Sequence, residues 1–185
     1  MIDKTAKKVG TVTGVFRTRE DAEKAYESLI RRGYSRDEIT VLMSDKTRDT
    51  HFKNSEVIHD EGNKSMEKAG VGSAIGGSIG GIVGAIAAIG TSIALPGIGL
   101  IIAGPILAGL AGAGAGGLTG GLIGGLIGAG IPKERAEIYD RSIQKGGVVL
   151  GITPKNDSDS QAITEDWKTY RGEEIYGPDR QSAVL

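Results

Sequence analysis

The chain has 185 residues, with 22 Lys and Arg against 23 Asp and Glu, so its formal net charge is −1. That balance gives no electrostatic reason for a nucleic-acid partner. With no cysteine there is no disulfide framework and no thiol chemistry, and two Phe and one Trp offer little for aromatic stacking on a ligand.

Met1 to Lys8 is polar and leads into no apolar signal-peptide core, which predicts a cytoplasmic N-terminal part. Val9 to Phe16 is rich in Val and Thr and alternates loosely, the pattern of a strand. Thr18 with Asp21 resembles a capping box with Asp in the usual Glu place. Ala22, Ala25, Tyr26, Leu29 and Ile30 follow at helical spacing, and Gly33 suits the position just past a helix. A short turn at Ser35–Glu38 precedes a second strand, Ile39 to Met43. Residues 44–68 are polar and without period, which predicts a loop, with a short strand at most around Glu56–His59.

The next segment is of another kind. From Ala69 to Pro132 there are 64 residues without a charged side chain, and 22 of the 31 glycines fall there. Gly72, Gly76, Gly80 and Gly84 form one four-residue ladder; Gly112, Gly116, Gly120, Gly124 and Gly128 form another. Residues four apart share a helix face, so each ladder is a groove into which another backbone can fit closely, a glycine zipper. Glycine costs about 1 kcal/mol per helical position against alanine, so such a helix needs packing to offset the cost. Ile75, Ile79, Ile82, Ile86, Ile89 and Ile93 recur at alternating steps of four and three, one apolar stripe opposite the glycines. This predicts a helix from Gly70 to Ala94, a turn at Leu95–Leu100, and a second helix from Ile101 to Gly130 with Pro105 in its first turn. The first helix would be about 37 Å long, enough for a hydrocarbon core of about 30 Å. Lys64 and Lys68 before the run and Lys133, Arg135 and Arg141 after it agree with both flanks lying on the cytoplasmic side.

Pro132 then opens a helix whose apolar face is Ala136, Tyr139 and Ile143, ended by Gly146 and Gly147. Val148 to Thr153 reads as a strand and Ala162 to Tyr170 as a short amphipathic helix; no element is predicted beyond Gly172. The expected fold class is α+β: a ferredoxin-like βαβ…αβ domain, one sheet with two helices on one face, interrupted by a long glycine-zipper α-helical hairpin. The boundaries are 1–68 for the first half and polar loop, 69–131 for the hairpin, and 132–185 for the second half and tail. The hairpin takes the place of the third strand or sits beside it.

Chemical motifs are sparse. Gly112 to Gly117 fits the G-x-G-x-x-G spelling, but no strand is expected before it and a segment one-third glycine spells it by chance, so no dinucleotide cofactor is expected. His51 and His59, with Asp49, Glu56, Asp60 and Glu61 nearby, lack metal-ligand spacing and read as a solvated loop. No nucleophile elbow or H-E-x-x-H helix marks an enzyme. Catalytic, cofactor and metal residues are therefore none, and Tyr26 and Tyr139 are expected as core or interface residues rather than ligand contacts.

Thr11 to Glu23, with Leu29 to Tyr34, resembles the bacterial general stress protein family, including heat-induced and low-temperature-induced members. Gly130 to Tyr139 followed by Gly146 to Leu150 resembles it too. The resemblance covers about residues 9–43 and 130–154. It implies a stress-induced cytoplasmic α/β domain, often with a glycine-rich insert between its halves, and it transfers no catalytic residue.

The expected function is a non-enzymatic, stress-associated structural protein that homo-oligomerises through the hairpin, in or on a lipid membrane at the cytoplasmic face of the inner membrane. Two alternatives stand beside it. One is a soluble cytoplasmic particle or ring with the hairpins buried inside; the other is a small-ligand-sensing α/β module, on fold analogy alone.

Overall fold

The computed structural model describes residues 10–52, 93–95, 100–105, 121–128 and 131–177. Among the described residues six strands form one sheet: β1 (Val12–Phe16), β2 (Thr40–Ser44), β3 (Ile93–Leu95), β4 (Leu100–Ala103), β5 (Val148–Ile152) and β6 (Glu173–Tyr176). Their order is β3-β4-β2-β5-β1-β6, and every neighbouring pair is antiparallel. β1 and β2 both flank β5 and so run parallel to each other. The connection between them is α1 (Arg19–Arg31), as the capping signal predicts: the Thr18 hydroxyl accepts the Asp21 backbone N–H at 3.2 Å and donates to the Asp21 carboxylate at 2.6 Å. Gly33, at φ +80°, ends the helix.

Alternation along β1, β2, β4 and β5 sends apolar residues to both faces of the sheet. Val12, Phe16, Val41, Met43, Ile101 and Leu150 belong to one buried cluster; Val15, Leu42, Ile102 and Val149 belong to another. A sheet with two apolar faces needs cover on both. The first face is covered by α1 and by α5 (Asp157–Thr169), through Ala25, Leu29, Ile163 and Trp167. The second is covered by α3 (Gly121–Gly128) and α4 (Lys133–Gln144), through Leu122, Leu126, Ala136, Tyr139 and Ile143.

This corrects the expected two-layer arrangement. The helix after Pro132 packs on the face opposite α1, because Ala136, Tyr139 and Ile143 meet Val15 and Val149 instead of the α1 side. The helix that shares a face with α1 is the tail helix, which starts earlier than its apolar pattern shows. Asn156 caps it, accepting the Asp159 N–H at 2.8 Å. A strand also follows Gly172, where none was expected: β6 pairs with β1 with a register shift between Thr13 and Val15.

The polar stretch after β2 is not all loop. Ser44 accepts the Thr47 N–H at 3.0 Å and so starts α2 (Asp45–His51), a single capped stretch whose only buried member is Thr47. With no apolar stripe, its signal is the cap alone. The strand expected around Glu56–His59 lies outside the described residues.

The largest correction falls inside the uncharged run. Ile93–Leu95 and Leu100–Ala103 are strands, not the end of one helix and the start of the next. β4 pairs with β2 from Val41↔Ala103 to Ser44↔Leu100, and β3 pairs with β4 from Ile93↔Ile102 to Leu95↔Leu100. The physical reason is local: Leu100, Ile101 and Ile102 form a short apolar run, β-branched at Ile101 and Ile102 and bounded by turn residues, which suits a buried strand as well as a helix. Sheet pairing with Val41, Leu42 and Met43 then decides it.

Candidate functional site

The site singled out by sequence is the pair of glycine ladders and the isoleucine stripe. Gly72, Gly76, Gly80, Gly84, Gly112, Gly116 and Gly120 lie outside the described residues, as do Ile75, Ile79, Ile82, Ile86 and Ile89. Gly124 and Gly128 fall in α3, and Ile93 falls in β3. The described part of the site is therefore the edge of the sheet formed by β3 and β4, with α3 beside it.

α3 has the sequence Gly-Leu-Ile-Gly-Gly-Leu-Ile-Gly. Its four glycines cost about 1 kcal/mol each relative to alanine. Leu122 and Leu126, four apart, are buried with Leu42, Ile102 and Val149 of the sheet and Tyr139 of α4. Burying a leucine contributes about 1.5–3 kcal/mol, so two of them offset the glycines. Packing, not propensity, holds this helix. Ile123 is half-buried against the same cluster and Gly124 is half-buried, while Ile127 is 43% exposed. Ile127 and Ile30 are the large apolar residues most open to solvent among the described residues.

Gly104 closes β4. Its φ is +91°, and a Cβ there would lie 2.3 Å from the Ile39 carbonyl oxygen and 2.7 Å from Thr40 Cα. The chain leaving β4 thus presses against the backbone that enters β2, a contact open to glycine alone.

The polar groups elsewhere act as ties between elements. Arg171, past the end of α5 at φ +56°, reaches Asp21 at the start of α1 with Nε at 3.1 Å and Nη2 at 2.9 Å. Burial pushes the Asp21 carboxyl up, but the hydrogen bonds from Thr18 and Arg171 outweigh it and hold the group below its ordinary value. At the other end of α1, Arg32 binds Asp166 at 2.7 Å, and the Tyr34 hydroxyl donates to Asp159 while accepting the Lys155 backbone N–H at 3.0 Å. Burial and then the Asp159 hydrogen bond raise Tyr34 to about 12. On the opposite face the Tyr139 and Thr13 hydroxyls are hydrogen-bonded to each other in the interior, joining α4 to β1. The Arg171–Asp21, Arg32–Asp166, Tyr34–Asp159 and Tyr139–Thr13 contacts each join a helix or its end to another element. Sequence reasoning did not find them, because the partners lie more than 100 residues apart, as in Tyr34 with Asp159.

Tyr26 and Tyr139 are core residues, as expected. Trp167 is buried against Gly14, with its ring edge-on to Phe16 at 5.5 Å between centroids. Arg135 lies over the Tyr176 ring at 4.6 Å and pairs with Glu174 at 3.2 Å, fixing β6 to α4. His51 is exposed, and among the described residues no group of His, Asp and Glu has the arrangement of a metal site. Among them, too, no helix is long and apolar enough to cross a membrane. The chain matches no protein-family model, no curated protein and no solved structure.

Proposed function

We propose that this chain is a non-enzymatic, stress-associated structural protein that assembles with copies of itself through its glycine ladders. The observation that carries the proposal is α3. It is an uncharged helix with glycine at every fourth position, anchored by Leu122 and Leu126 to a folded α/β sheet, with Gly124 half-buried and Ile127 open to solvent. Such a helix is held by the sheet on one side and suited to close contact on another. The stress association rests on the resemblance of residues 9–43 and 130–154. The domain that carries the ladders is, in this reading, ferredoxin-like. The strands β6-β1-β5-β2 with the crossovers α1 and α5 make two interlocked βαβ units, and β3, β4, α3 and α4 belong to the insert between β2 and β5.

The proposed place of assembly is the cytoplasmic face of the inner membrane. A soluble particle with buried ladders is the second reading, and a specific observation favours it: Leu122 and Leu126 pack on protein, and residues 93–95 and 100–103 are used as strands. The test is sedimentation of a detergent-free extract whose membrane pellet is washed with high salt and carbonate. Release by detergent alone supports the membrane site, and a large particle in the supernatant supports the second reading. In either case Gly120→Leu and Gly124→Leu are expected to reduce the assembly to smaller species while the α/β domain keeps its circular dichroism. Normal assembly of both variants overturns the proposal.

A further inference from the structure

No further inference is drawn: the strongest candidate, the apolar flank of α3 with half-buried Ile123 and exposed Ile127, carries nothing because nothing in the structure shows what covers it.

Discussion

Gly104→Ala separates two conformations of the uncharged run by the sign of its effect. In a helix beginning at Ile101, replacing this glycine by alanine stabilises the protein by about 1 kcal/mol. At the end of β4 the same change is unfavourable twice over. A φ of +91° places an L-residue in left-handed territory, at about 1–2 kcal/mol. The new methyl would also lie 2.3 Å from the Ile39 oxygen and 2.8 Å from its carbonyl carbon. Both are backbone atoms, so no side-chain rotation relieves the clash, and overpacking of this kind costs about 1–3 kcal/mol. The sum is a loss of about 2–5 kcal/mol, which for a chain of this size lowers Tm by roughly 4–20 °C. Urea unfolding followed by Trp167 fluorescence reads it directly: the midpoint falls while the slope stays constant. A midpoint equal to or above that of the parent would refute the strand assignment and the close contact with β2.

Two tyrosines give a matched pair. Tyr139→Phe strands the buried Thr13 hydroxyl and is expected to cost about 1–3 kcal/mol, whereas Tyr26→Phe removes a buried hydroxyl that has no hydrogen-bond partner among the described residues and is expected to be neutral or stabilising in the same unfolding assay. Gly14→Ala places a methyl 2.9 Å from Trp167 Cε3; it is expected to displace the indole, shift its emission and destabilise by about 1–3 kcal/mol. The pH dependence has two limbs. Asp21 titrates below its ordinary value in the folded protein, so its contribution is present above the unfolded pKa near 3.8 and lost as pH falls through the folded value; Asp21→Asn should flatten the acid limb of a midpoint-against-pH curve. Burial raises Tyr26 and Tyr34 to about 12, so their contribution is intact below the unfolded pKa of about 10 and falls as pH rises toward 12; phenolate absorbance should then appear together with loss of structure.

The parts of the fold legible in sequence are those with both a period and a boundary residue. α1 has Thr18, an apolar face and Gly33; α4 has Pro132, Ala136, Tyr139 and Gly146; β5 is a run of apolar residues. The parts that were not legible lack one or the other. α2 is a cap without a stripe, and β6 is two glutamates, an isoleucine and a tyrosine whose place is fixed by β1, Arg17 and Arg135. The layer of each helix was not legible either, since a helix with one apolar face fits equally well on either face of a two-sided sheet. Ile93 shows the limit most directly. It completes a stripe at helical spacing, yet three residues from Ile93 to Leu95 are too few to carry a period of their own, and pairing with β4 sets their conformation.

The strands in the uncharged run also change what the glycine ladders are asked to do. A two-span hairpin carries its turn to the far side of a hydrocarbon core about 30 Å thick. Leu95 and Leu100, which bound the expected turn, are instead paired partners at the edge of the same sheet that holds β1 and β5. The run is thus tied to the α/β domain at β3, at β4 and again at α3, where Leu122 and Leu126 are buried. The described members of the second ladder, Gly124 and Gly128, lie in α3 and so are held to the domain through Leu122 and Leu126. A segment fixed to protein in this way gains most from glycine by close contact with protein, its own or a neighbour's. Of the two proposed sites of assembly, this connectivity favours the soluble particle.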